Sequence, residues 1–214
     1  MTTAQSNITR RDFLKFTAKT AVMSSGFLAG CSTTSASRSS PSSAIDIHHH
    51  YIPLELIEEV KAHGKALGVE YFPPKDAKDN SFQIQFPKGS RFRPDPRMTE
   101  INNRLEVMTK GNIGIASVEV HIACVGYELD GSRGETWSNL YNEAIMNLVK
   151  RYPDRFIGVA TIPLQDPPRA ARVLEHAIRD LKMSGVTIAS NVSANTSIME
   201  TSIRSGQKLR SSMS

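Results

Sequence analysis

The sequence predicts an α/β fold of parallel strands, and three observations point there. Short apolar runs at 44–48, 115–121, 156–162 and 186–190 alternate with longer stretches whose apolar residues recur every three or four positions. Glycine or proline punctuates the ends of those longer stretches. The first run closes on His48, His49 and His50, where a nucleotide-binding sheet would carry a glycine-rich phosphate turn. Strands alternating with helices pair in parallel through right-handed crossovers, which leaves an open doubly wound sheet or a barrel.

Taken in order, Ala44-Ile45-Asp46-Ile47-His48 is the first strand, and Pro53 opens a helix whose apolar face is Leu54, Ile57, Val60 and Leu67. Residues 69–96 mix Pro, Lys, Asp and aromatics without one period and read as an irregular insertion holding a hairpin strand. Met98, Ile101, Leu105 and Met108 mark an amphipathic helix over 97–110, which Gly111 and Gly114 end. Ile115–His121 is the second strand, Trp137–Tyr152 a helix closed by Pro153, and Phe156–Ile162 the third strand. Pro167–Met183 forms the next helix, and after Gly185 the run Val186–Ser190 is the fourth strand.

The 214 residues suit one sizeable domain, and 39% hydrophobic with 22% charged residues exclude disorder or a multi-span membrane protein for the body. Of the net charge of +5, Arg10, Arg11, Lys15 and Lys19 against Asp12 supply +3, so the body is nearly neutral. It has no cluster of cations interleaved with aromatics, which excludes nucleic acid as a partner. Two cysteines, Cys31 and Cys124, are too few for a disulfide framework.

Residues 8–16, Ile-Thr-Arg-Arg-Asp-Phe-Leu-Lys-Phe, resemble a twin-arginine export signal. The apolar stretch Phe16–Leu28 is shorter than the roughly 20 residues of a spanning helix and reads as a signal core. It ends in Leu28-Ala29-Gly30-Cys31, which resembles a bacterial lipobox and makes Cys31 the lipidation candidate and a membrane tether. The expected organisation is a signal peptide at 1–30, a Ser-rich tether at 31–43, the folded domain at 44–195 and an aberrant or disordered tail at 196–214. The expected location is the periplasm or cell envelope, with the twin-arginine route carrying cargo already folded and metal-loaded.

Two residues apart at a strand end, His48 and His50 leave the same face of the pleat while His49 points to the other. Two imidazoles so placed can converge on one divalent ion, zinc being a common partner, but a catalytic zinc usually takes three protein ligands and water. Strand ends are also where a barrel gathers catalytic groups. Other chemistry-bearing residues read more plainly. His121 ends the second strand and is either pocket-facing or, more plainly, a polar rim residue, and Cys124 is either a nucleophile or, more plainly, a small-residue position. Glu119 takes a charge-pairing role within its strand, and His176 an exposed helical position. No catalytic residue is assigned.

The run Ile45-Asp46-Ile47-His48-His49-His50-Tyr51-Ile52-Pro53 resembles the opening DxHxH strand of the amidohydrolase-2 family, which includes aminocarboxymuconate semialdehyde decarboxylase. Arg104-Leu105-Glu106-Val107-Met108, Tyr152-Pro153-Asp154-Arg155-Phe156-Ile157-Gly158, Ile162-Pro163-Leu164-Gln165-Asp166 and Gly185-Val186-Thr187-Ile188-Ala189-Ser190 fit its later pattern in order. The resemblance implies a metal-dependent-hydrolase-type (β/α)8 TIM barrel and a divalent metal, often zinc, held in part by His48 and His50. It also implies carboxy-lyase or hydrolase chemistry on a small carboxylated or aromatic substrate. The family draws further metal and catalytic residues from later strands, and this chain has no His after His176 and no Asp after Asp180. About four of eight strands are legible, so the expectation is an incomplete N-terminal half barrel, a fragment or frameshift product that holds metal weakly and lacks activity. The competing expectation is a non-catalytic envelope lipoprotein.

Overall fold

The computed structural model describes residues 43–76 and 81–192. The twin-arginine pair, Cys31, the tether up to residue 42 and the proposed tail lie outside the described residues. Four parallel strand positions follow one another in chain order, as a barrel segment requires and a doubly wound sheet does not. β1 (Ala44–His50) pairs with β4 (Ile113–Glu119), and β4 with β5 (Phe156–Gly158). One residue further on, β6 (Ala160–Thr161) pairs in parallel with β7 (Val186–Thr187). The third expected strand is thus divided at Val159, whose N–H still donates to Val118 O at 3.0 Å. The fourth is shorter than expected.

α1 (Leu54–Leu67) buries Leu56, Ile57, Val60 and Leu67, and Gly68 closes it in the left-handed region at φ 74°. The insertion forms an antiparallel hairpin of β2 (Glu70–Phe72) and β3 (Gln83–Gln85), so it holds two strands rather than one. Phe92 extends it through a bridge to Ile84. α2 is Ile101–Lys110, preceded by a single 3-10 turn at Pro96–Met98.

α3 (Gly131–Arg151) begins six residues before the expected Trp137. Asp130 Oδ1 accepts the Arg133 N–H at 3.0 Å and nucleates the extra turns, whose polar residues carry no apolar period. Gly134 lies in them because a Cβ there would sit 2.4 Å from Gln165 Nε2. α4 (Pro167–Arg179) is capped by Asp166 and stops short of Met183, which turns back to donate its N–H to Ala177 O. The core lies between α3 and the sheet, where Trp137, Tyr141, Ile145 and Leu148 meet Val118, Phe156 and the α1 residues Ile57 and Val60. Outer β1 is less covered, with Ile45 62% and Ile47 82% exposed. Among the described residues no helix is long and apolar enough to cross a membrane.

Candidate metal centre

The site is built where β1 and β4 end side by side. Their register places His50 opposite Glu119. A pairing irregularity between Asp46 and His49 lets the strand tip carry three successive imidazoles in different directions. His49 turns away and its Nδ1 meets Asp46 Oδ2 at 2.6 Å, while the His48 backbone N–H donates to Asp46 Oδ1 at 3.2 Å. Burial pushes the Asp46 carboxyl up, but these hydrogen bonds outweigh it and hold the group below the usual carboxylate range. His48 and His50 remain together, their rings edge to face at 4.6 Å.

Glu119 joins them from β4. His48, His50 and Glu119 each offer one ligand atom, and all three lie within 4.8 Å of one another. Bonds of roughly 2.0–2.2 Å to one cation place neighbouring ligand atoms about 3–4 Å apart, so the cluster suits a divalent ion. Two observations support the fit. Glu119 Oε1 is buried and lacks a well-formed hydrogen bond although it lies against His48 Nδ1, and Oε2 accepts from the Thr187 hydroxyl. Desolvation, then the neighbouring His121 and His48, push His50 below its ordinary value and so favour the neutral, ligating imidazole.

The strand end is held rigidly. Buried Arg104 donates from Nη2 to His50 O and to Arg97 O, both at 2.8 Å. Tyr51 N–H donates to Glu119 O at 3.0 Å, and the buried Tyr141 hydroxyl donates to Tyr51 O at 2.7 Å. Burial lowers Arg104 to about 10, and its guanidinium lies 5.5 Å from the Tyr51 ring centre. These partners pin the peptide that carries His50.

The structure therefore brings together the two candidate ligands and adds a third candidate, Glu119, which the sequence pattern assigned only to charge pairing. Glu119 was hidden because strand alternation gives its face and not its partner strand. Of the two positions open to His121, the structure gives the one beside the site, its ring edge to face with His50 at 4.6 Å and stacked on Phe92 at 4.7 Å. Burial lowers it from its ordinary value. Cys124 is fully buried with its thiol pushed up by desolvation, in keeping with a packing role. His176 lies on α4 and contacts Asp180 at 2.7 Å, outside the site.

A family model described as an amidohydrolase matches residues 45–196. The chain belongs to the amidohydrolase family. This amidohydrolase is 28% identical over 105 residues to a gamma-resorcylate decarboxylase of Polaromonas, covering 45% of this chain and 32% of the relative. It is 22% identical over 138 residues to the 2-amino-3-carboxymuconate-6-semialdehyde decarboxylase of Caenorhabditis elegans, covering 64% and 33%. The chain thus spans about a third of the length of these curated relatives. Among solved structures, 5-carboxyvanillate decarboxylase of Novosphingobium aromaticivorans, complexed with manganese and 4-hydroxy-3-methoxy-5-nitrobenzoic acid, superposes with a TM-score of 0.52 at 18% identity. That match covers 75% of this chain and 46% of the other. The likeness shows the fold, and the parallel strands of this amidohydrolase are part of a TIM barrel.

Proposed function

We propose that residues 44–192 form the cation-holding side of a metal-dependent decarboxylase site for a small, hydroxylated or unsaturated carboxylate. The observation that carries this reading is the convergence of His48, His50 and Glu119 at adjoining barrel strand ends. The decarboxylases named among its relatives supply the substrate class. When bound there, a divalent cation supplies a fixed positive charge that orients a carboxylate and stabilises negative charge as carbon dioxide leaves.

The chain's own residues do the holding. His48 and His50 present imidazoles, Glu119 the anionic ligand, and Thr187 orients that carboxylate through its second oxygen. Arg104 and Tyr141 fix the backbone at residues 50–51, so the donors are set before the cation arrives. Two imidazoles and a carboxylate suit zinc, and the manganese of the Novosphingobium relative is the other candidate.

With three donors and no fourth ligand grouped with them among the described residues, this site is expected to hold the cation weakly and to turn over no decarboxylase substrate by itself. From the N-terminal sequence pattern alone, the proposed location is the cell envelope, with Arg10 and Arg11 as the export pair and Cys31 as the lipidated residue. The test is to dialyse the purified chain against a mild chelator. Metal per chain, before and after dialysis, and carbon dioxide release are measured beside a His48→Ala, His50→Ala double variant. The metal is expected to wash out of the wild type in chelator, whereas metal per chain that is equal in the two proteins before the chelator step would favour a metal-free envelope protein. Measurable turnover by the wild type would overturn the inactive reading.

A further inference from the structure

His121 lies beside the three cation donors, and its contacts fix its chemistry. It follows β4 and caps the 3-10 turn Ile122–Cys124, its Nδ1 accepting the Ala123 backbone N–H at 3.1 Å. An accepting ring nitrogen carries no proton, so the neutral imidazole keeps its proton on Nε2. A protonated nitrogen cannot ligate a cation, and the group His48, His50 and Glu119 does not include His121. His121 therefore stands beside the centre as a donor rather than a fourth ligand.

The ring is held on two sides. His50 meets it edge to face at 78°, and Phe92 stacks on it at 14°. Phe92 is itself fixed by two backbone hydrogen bonds with Ile84 of β3, at 2.8 and 3.0 Å. The hairpin insertion thus reaches the centre through this stack. A half-buried, immobilised N–H donor next to a cation site is suited to an anionic oxygen, because the donor loses little freedom on binding.

We propose that His121 is a ligand-positioning donor whose Nε2–H binds a carboxylate or phenolate oxygen of an aromatic acid held beside the cation at His48, His50 and Glu119. The inference rests on the decarboxylase reading above and adds a residue and a ligand atom to it. Capping and donating use different nitrogens, so two variants separate them. His121→Gln keeps an N–H near the position of Nε2, whereas His121→Asn keeps a short side-chain acceptor for the Ala123 N–H and loses the outer donor.

The experiment uses the full chain loaded with manganese, and the probe is 4-hydroxy-3-methoxy-5-nitrobenzoic acid, whose nitrophenol absorbance reports binding. Manganese affinity is measured separately, and circular dichroism checks the fold. Wild type and His121→Gln should bind the probe within about threefold of each other, and His121→Asn about ten to a hundredfold more weakly, the loss of one hydrogen bond to a charged group. Manganese affinity should be alike in all three. Probe binding that is intact in His121→Asn and lost in His121→Gln would show a cap only and overturn the proposal. Manganese affinity falling in both variants would make His121 a ligand and overturn it too. Wild type that binds manganese but not the probe would defeat this inference alone, while wild type that binds no manganese would defeat the cation reading and this inference with it.

Discussion

Replacing Glu119 with Gln should move cation affinity and metal-free stability in opposite directions. The substitution keeps the side-chain volume and an acceptor for the Thr187 hydroxyl, and removes only the charge. Losing a group that merely orients a ligand typically costs ten to a hundredfold in metal affinity. Losing the one anionic ligand of three should exceed about a hundredfold, or about 2.7 kcal/mol. Without metal the carboxylate is a burden. Glu119 is 6% exposed and its Oε1 lacks a well-formed hydrogen bond, and an incompletely paired buried ion costs several kcal/mol after relaxation. Recovering about 1–2 kcal/mol of that would raise the melting temperature of the metal-free chain by about 2–8 °C. Isothermal titration with manganese and with zinc measures the first effect, and thermal unfolding in chelator the second. Affinity within threefold of wild type would remove Glu119 from the ligand set. A lower metal-free melting temperature would show that the carboxylate is there to hold Thr187 and β7.

The remaining predictions concern the scaffold and the address. Glu135 receives hydrogen bonds from Arg169 and Arg172, tying α3 to α4. Arg172 first, against a desolvation penalty, and then Arg169 hold its carboxyl below the ordinary 4.5. Because the unfolded chain takes up that proton first, this stabilisation is present above about pH 4.5 and is lost as pH falls through the lower folded value. Glu135→Gln should therefore lower the melting temperature near neutrality and converge on wild type in acid, and a constant offset across pH would refute this. Gly126→Ala should cost about 2–4 kcal/mol, because φ is 73° and the new Cβ would sit 2.8 Å from Trp137 Cδ1. Denaturant titration followed by the fluorescence of Trp137, the only tryptophan, reads this directly, and an unchanged midpoint counts against it. Changing Arg10 and Arg11 to lysine should leave the chain in the cytoplasm, and Cys31→Ala should abolish labelling by a lipid precursor. Unaltered fractionation or equal label would each sink the corresponding assignment.

What the sequence alone determined was local. Period-two and period-3.6 patterning placed β1, β4, β5, α1, α2 and α4, because burial of one face imposes that spacing on the chain itself. The same logic put His48 and His50 together and turned His49 aside. The apolar run did not show that Ile45 and Ile47 would lie exposed at the outer strand β1. The extra turns of α3 were written in a polar stretch with no apolar period, so only the Asp130 cap marked them.

The tertiary structure alone decided which distant residues complete the centre. Glu119 faces His50 because β1 and β4 pair in one register, and a slip of one residue would send that carboxylate to the other face. His121 became a fixed donor only when the Ala123 N–H met one ring nitrogen and Phe92 arrived from the hairpin to stack on it. Register and docking are set by the whole buried surface, so they leave no signature in any short window of sequence.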